Sequence, residues 1–189
     1  SGDTSIIALT LKNNTFVNNS VVKSGGAIGL FAAELTLSNN TFYNNDAASG
    51  SGAHLASILS VSALVYARGN LFGPTAYGLA CGGTLVNSNP ALIAANLLGD
   101  ASCTQLSPAS LPNSPLGTIT IDETPGKIGV VRFSGSAVID SISNSALCEP
   151  DDARKEQRPI DGDDDGIARC DVGAYEDLGA MLFRNGFES

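Results

Sequence analysis

The sequence predicts an all-β chain wound into a right-handed parallel β-helix, a solenoid of short stacked strands with a loop-rich, disulfide-bonded C-terminal segment. Three observations predict it. An eleven-residue unit recurs at a period of about 26 residues, and periods of this size mark solenoids. Glycine-rich turns separate the copies. The composition, rich in Gly, Asn, Ser and Thr with only 15% charged residues, suits short strands and tight turns better than long helices.

The repeat comes first. Leu9-Thr10-Leu11-Lys12-Asn13-Asn14-Thr15-Phe16-Val17-Asn18-Asn19 returns as Leu35-Thr36-Leu37-Ser38-Asn39-Asn40-Thr41-Phe42-Tyr43-Asn44-Asn45, with nine of eleven positions identical. A weaker third copy follows at Ala67-Arg68-Gly69-Asn70-Leu71-Phe72. Gly25-Gly26, Gly50-Ser51-Gly52 and Gly82-Gly83 fall between the copies. Leucine-rich repeats would show LxxLxL spacing, which is missing, and ankyrin or tetratricopeptide units need helices that this composition disfavours.

Within a copy, Leu9 and Leu11 alternate with polar neighbours as in a half-buried strand. Asn13-Asn14 then turns the chain, because Asn tolerates left-handed backbone angles. Phe16 points back into the core on the next strand. Leu11 should therefore stack beside Leu37, and Phe16 beside Phe42 and Phe72. The Asn side chains should bond to each other along the corners, as amide ladders do in cross-β structures. Those ladders account for Asn13-Asn14-Thr15, Asn39-Asn40-Thr41 and Asn18-Asn19-Ser20 more simply than glycosylation does.

Residues 1–90 thus form the repeat rungs, the third beginning with Leu59-Ser60-Val61-Ser62-Ala63-Leu64-Val65 and the fourth running near Thr84-Leu85-Val86. Residues 91–147 hold irregular final rungs and loops. Strands are expected at residues 117–121 and 137–140. Residues 91–115, broken by Pro108, Pro112 and Pro115, should lie across the side of the solenoid. Residues 148–179 form a disulfide-bonded acidic segment, and 180–189 an apolar tail.

A net charge of −9 argues against nucleic acid, whose phosphates need clustered Lys and Arg. No run of about 18 apolar residues is long enough to cross a bilayer. The charge is uneven: the first hundred residues carry only Asp3, Lys12, Lys23, Glu34, Asp46, Arg68 and Asp100, so a neutral body leads to an acidic end. Cys81 and Cys103 are separated by the same interval as Cys148 and Cys170. An even count without CxxC spacing reads as two local disulfides. The chain opens at Ser1 without an initiator Met or signal peptide, as a processed product or part of something longer would. Residues 1–8 offer no cap for the first rung, so further protein or another subunit is expected there.

In the acidic end, DxDxDG places Asp161, Asp163 and Asp165 at positions 1, 3 and 5 of a loop, with Gly166 at the sharp turn. Ile167 would add its carbonyl at position 7. Val172 stands where an EF-hand has its Glu, so Asp171 or Glu176 must complete the set. Hard oxygen ligands at this spacing suit calcium. The plainer reading is a solvated acidic turn.

Arg158-Pro159-Ile160-Asp161-Gly162-Asp163-Asp164-Asp165-Gly166 followed by Cys170-Asp171-Val172-Gly173-Ala174-Tyr175-Glu176 resembles the terminal signature of bacterial secreted β-helix repeat proteins of the choice-of-anchor and polymorphic-outer-membrane-protein-like group. Lys155-Glu156-Gln157 departs from that group's pattern, while the NNTFxNN and GGA units agree with it. The tail, with Phe183-Arg184-Asn185-Gly186-Phe187-Glu188, resembles short endings of secreted gammaproteobacterial proteins. The resemblance implies the fold and secretion from a Gram-negative cell, to the medium or the cell surface. It implies no settled activity.

For function, the residues favour a structural or adhesive extracellular module over an enzyme. The alternative is a polysaccharide-binding or polysaccharide-degrading β-helix, since fold alone decides nothing. A glycosidase needs two carboxylates on one groove, and the rungs supply only Glu34 and Asp46 across a turn. His54 has no Ser or Cys partner in a motif and reads as a turn residue. The glycine pairs lack the strand–loop–helix setting of a phosphate site. Tyr43, Tyr66, Tyr77 and Tyr175 are the aromatics available to a sugar. An open first rung and an apolar tail, with Phe183 and Phe187 as contacts, would let copies stack end to end into a filament or surface layer. Surface glycans or a host surface are the other expected partners.

Overall fold

The computed structural model describes residues 7–31, 33–58, 62–87, 95–106, 116–117, 119–122 and 129–179. Residues 1–6, 59–61 and 107–115, and the tail with Phe183 and Phe187, lie outside the described residues.

The chain is a parallel β-solenoid of about three turns. Its first coil holds β1 (Ile7–Lys12), β2 (Thr15–Val17), β3 (Ser20–Val21) and β4 (Ile28–Leu30). The second holds β5 (Ala33–Ser38), β6 (Thr41–Tyr43) and β7 (Asp46–Ser57), and the third β8 (Ala63–Arg68), β9 (Leu71–Phe72) and β10 (Tyr77–Gly82). β11 (Leu85–Asn87) and β12 (Leu97–Leu98) begin a fourth. They stack into three sheets, ordered β1-β5-β8-β11, β12-β9-β6-β2 and β10-β7-β3, with β4 also on β7.

Like residues stack on like. Leu11 sits beside Leu37, which sits beside Ala67. The Phe16 and Phe42 rings stack at 4.8 Å, and Phe42 and Phe72 at 4.9 Å. Phe42 and Phe72 are fully buried, each worth roughly 2–3 kcal/mol in transfer alone.

The corners carry the expected ladders, with a division of labour between the paired Asn residues. The first of each pair takes a positive φ, 54° at Asn13 and 49° at Asn39, and Gly69 supplies it in the third copy at 60°. The second points inward. Asn14 donates its backbone N–H and Nδ2 to Asn40 Oδ1 (2.9 and 3.1 Å), Asn40 does the same to Asn70 (2.9 and 3.0 Å), and Asn70 to Asn96 (2.9 and 2.9 Å). The steps are 26, 30 and 26 residues, so the second coil is longer yet keeps the corner aligned.

Four expectations need correction. Residues 91–115 do not simply cross the side: Asn96-Leu97-Leu98 continues the ladder and the β9 sheet. The expected rung at residues 117–121 is the strand β13 (Ile119–Asp122), which pairs antiparallel with β14 (Val130–Phe133) outside the coil stack. Residues 137–140 form a turn, not a strand. His54 is no turn residue: it is buried within β7. There it ends the second corner's ladder, because the third coil has Pro74-Thr75-Ala76 where an Asn is needed. Asn45 Nδ2 donates to His54 Nδ1 at 3.0 Å, and His54 Nε2–H donates to the Gly73 carbonyl at 2.7 Å. Burial lowers its pKa to about 4, so the ring is neutral and its tautomer follows from the two bonds.

The two ends of the stack differ. At the C-terminal end the short 3₁₀ turn Ala101–Cys103 lies against β10. Asp100 and Ser102 accept the Ala80 and Cys81 backbone N–H groups, each at 2.8 Å. Cys103 bonds to Cys81 across 22 residues, and Leu106 is fully buried over the core.

Candidate metal centre in the acidic strap

The acidic end is a strap laid along the first Asn corner of the solenoid. Asn13 Nδ2 donates to the Asp151 carbonyl (2.8 Å), the Glu149 N–H to Asn39 Oδ1 (2.9 Å), the Gly173 N–H to the Gly69 carbonyl (2.8 Å) and the Ala174 N–H to Thr41 Oγ1 (2.9 Å). One strap thus grips three successive coils. Glu149 adds ion pairs to Lys12 (2.9 Å) and Arg68 (2.7 Å); with Lys12 half exposed, that pair contributes modestly. Gly173 must be glycine: its φ is 101°, and a Cβ there would meet Thr41 Oγ1 at 2.6 Å. Cys148–Cys170, also 22 residues apart, closes the strap on itself.

The strap has a buried ionic centre. Glu176 is fully buried and accepts backbone N–H groups from Ile160 (3.0 Å) and Asp171 (2.9 Å), with Arg158 at 3.2 Å. Arg158 donates to the Asp171 and Gly173 carbonyls, both at 2.8 Å. Asp171 accepts the Asp140 and Asp177 N–H groups at 2.7 and 2.6 Å. Burial, reinforced by Glu176, pushes Asp171 up to about 8. Beside this centre two guanidinium groups contact the Tyr175 ring, Arg154 at 3.8 Å and Arg132 at 5.5 Å from its centroid.

On the strap's outer side, Asp140, Asp161 and Asp163 each bring a carboxylate oxygen within 4.8 Å of the others, a group that could hold a metal ion. Asp140 is the anchor. At φ 52° its turn aims the carboxylate at the DxDxDG loop, where it accepts N–H groups from Gly162 (2.7 Å), Asp163 (2.9 Å) and Arg169 (3.2 Å). Desolvation raises its pKa against those three bonds, and Asp163 adds to the rise. The loop is held open from within: Asp161 accepts from Asp165 N–H (3.0 Å) and Gly166 N–H (2.9 Å), and Asp163 from Asp165 N–H (3.1 Å).

The six residues chosen from sequence therefore divide. Asp161 and Asp163 come together. Asp165 turns away, accepting the Ile167 N–H at 2.8 Å and pairing with Arg169 at 3.1 Å, which lowers its pKa. Ile167 is exposed on the loop. Asp171 and Glu176 lie in the buried ionic centre and are not part of the metal group. Asp140 was missed, and no local pattern marks it, since the fold alone brings it to the loop.

Comparison with known proteins found no matching family, no similar curated protein and no similar solved structure. Among the described residues no helix is long and apolar enough to cross a membrane.

Proposed function

We propose that this chain is an extracellular structural or adhesive β-solenoid module whose strap binds calcium. The carrying observation is where the covalent links fall. One disulfide closes the C-terminal end of the stack and the other closes the strap that grips three coils. Two such bonds suit an oxidising compartment. They also suit a part whose task is to hold its shape, since each stabilises by roughly 3 kcal/mol on the loop-entropy model.

Calcium fits the Asp140, Asp161 and Asp163 group better than magnesium does. Extracellular calcium sites are built from carboxylate and carbonyl oxygens on flexible loops, whereas magnesium keeps most of its waters. Calorimetric titration with calcium and magnesium tests this. Calcium at about a hundred times its Kd should raise stability by ~2.7 kcal/mol, a rise of roughly 5–10 °C in Tm for a chain of this size. Asp140→Asn should abolish the shift and Asp165→Asn should preserve most of it. Equal losses from both would return Asp165 to the ligand set, and no calcium-dependent shift would reduce the loop to a solvated turn.

The wider reading is tested by presenting the oxidised, calcium-loaded protein to glycan arrays and cell surfaces while assaying polysaccharides for cleavage. Binding without cleavage supports an adhesive module. Depolymerisation of any polysaccharide would replace this reading with the enzymatic one.

A further inference from the structure

The first coil is an unfinished interface, and its chemistry specifies what finishes it. In the β1 sheet Leu9 stacks on Leu35 and Leu11 on Leu37, so Ile7, Leu9 and Leu11 occupy core-facing positions by the two-residue period of a strand. Yet Ile7 is 73% exposed and Leu9 43%, while Leu35 and Leu37 are buried. Among the described residues β1 is bonded on one edge only.

The polar groups are as one-sided as the apolar ones. Asn14 and Asn19 direct Nδ2 toward the second coil, to Asn40 Oδ1 (3.1 Å) and Asn45 Oδ1 (2.9 Å). An amide whose nitrogen points one way along the stack has its oxygen pointing the other way. Asn14 Oδ1 and Asn19 Oδ1 therefore face the open end, and among the described residues no donor reaches them. Asn40, Asn70 and Asn96 also each give an Nδ2 bond to a carbonyl of the coil before, on Leu11, Leu37 and Ala67 (2.9, 3.0 and 2.9 Å). Asn14 has no such partner among the described residues and keeps only the bond to the carbonyl two residues before it, Lys12 at 2.9 Å, which Asn70 makes to Arg68 (3.0 Å) in addition to its bond to the coil before.

A second copy of this chain meets neither requirement. Stacked head to tail, it would have to donate from Asn96. The Asn96 Nδ2 is already given to the Ala67 carbonyl and to the Leu106 carbonyl of the cap (2.9 and 3.3 Å), and Leu106 covers the core there. Stacked head to head, it would set Oδ1 against Oδ1 and cost unpaired acceptors.

We propose that the N-terminal end of the solenoid is a docking face for a further β-coil of the same repeat type. That coil lies parallel to β1, carries an Asn at each of two corners, and comes from outside residues 7–179. Its corner Asn residues give N–H and Nδ2 to Asn14 and Asn19, and a carbonyl just before its first corner receives Asn14 Nδ2. Ile7, Leu9 and the open face of Phe16 pack beneath its apolar row.

Hydrogen–deuterium exchange of β1, with sedimentation of the same sample over a concentration series, tests this on the unaltered chain. The expected result is a monomer whose β1 amides exchange at least about tenfold faster than those of β5. The chain is then lengthened by inserting a duplicate of residues 7–32 directly before Ile7. β1 exchange should slow to the β5 level, and Tm should rise. The same insertion with Ala at the duplicates of Asn14 and Asn19 should lose most of that gain. Three results overturn the proposal: a dimer with concentration-dependent protection of β1, which makes a second copy the occupant; β1 protected in the monomer and released on deleting residues 180–189, which makes the chain's own tail the occupant; or no protection from the duplicate coil.

Discussion

The two ends of the solenoid terminate the same stack in opposite ways. At the C-terminal end Leu98, Cys103 and Leu106 are 0–1% exposed, whereas at the N-terminal end Ile7 and Leu9 are 73% and 43% exposed in core-facing positions. Repetition creates this problem, because every coil offers its next neighbour an edge and an apolar layer. The C-terminal end solves it by leaving the repeat. Asp100 and Ser102 take over the acceptor role of a missing strand, Leu106 plugs the core, and Cys103 fixes the plug. The N-terminal end still follows the repeat. A stack closed at one end has a direction, and that closure argues against the head-to-tail filament that an open first rung suggests when read alone.

Aromatic truncation gives the largest contrast between the ends. Phe42 lies between Phe16 and Phe72 with no exposure, so Phe42→Ala should cost about 3–5 kcal/mol by leaving a cavity closed on both sides. Phe16 is stacked on one face only and half-buried. Phe16→Ala should therefore cost about 1–2 kcal/mol, mostly lost transfer energy. Chemical denaturation of both variants checks this. Equal costs would mean that the first coil is covered in solution and that the two ends are alike.

Acid should act next most strongly, and on the middle of the stack, not on its ends. The folded pKa of His54 is about 4 against an ordinary 6.5. The unfolded chain therefore binds the proton more readily. The stabilisation is complete above pH 6.5 and is lost as pH falls through about 4, amounting to about 3 kcal/mol. Protonation also puts a hydrogen on Nδ1, which faces the Asn45 amide donor. His54→Gln should flatten this part of the pH–stability curve. A slope that survives the substitution would move the acid sensitivity to the strap's carboxylates.

The coil stack was legible because repetition writes register into sequence: aligned copies put Leu11 on Leu37 and Phe16 on Phe42, and the structure keeps both. Asn96-Leu97-Leu98-Gly99 was legible too, since it repeats Asn70-Leu71-Phe72-Gly73. The prolines that follow it drew the whole stretch into a loop reading. His54 was misread because its role depends on the third coil having Pro74-Thr75-Ala76 where an Asn is needed, and on the Gly73 carbonyl 19 residues away. The acidic loop announced Asp161 and Asp163 by spacing, but Asp171 and Glu176 were assigned by the same spacing to a task that burial gives them no part in. Asp140 carried no local signal. Repeats are local facts and could be read. The strap is a set of contacts between distant segments, such as Glu149 with Asn39 and Gly173 with Gly69, and sequence spacing does not encode it.

The smallest contrast lies in the amide ladder, and it separates the two ends by polarity alone. Asn70 is buried, accepts from Asn40, and donates to Asn96 Oδ1 and the Leu37 carbonyl. Asn70→Ala removes the side-chain bonds to both neighbouring coils and leaves buried polar groups without partners, so it should cost about 2–3 kcal/mol. Apart from its own coil's Lys12 carbonyl, the Asn14 side chain bonds only to the coil after it. Asn14→Ala should cost about 0.5–1 kcal/mol, since water can reach what it leaves behind. In the chain lengthened by a further coil, Asn14 becomes an interior member of the ladder, and the cost of Asn14→Ala should climb toward that of Asn70→Ala. If it stays at its terminal value, the added coil is not bonding through Asn14, and the direction read from the amides would have to be given up.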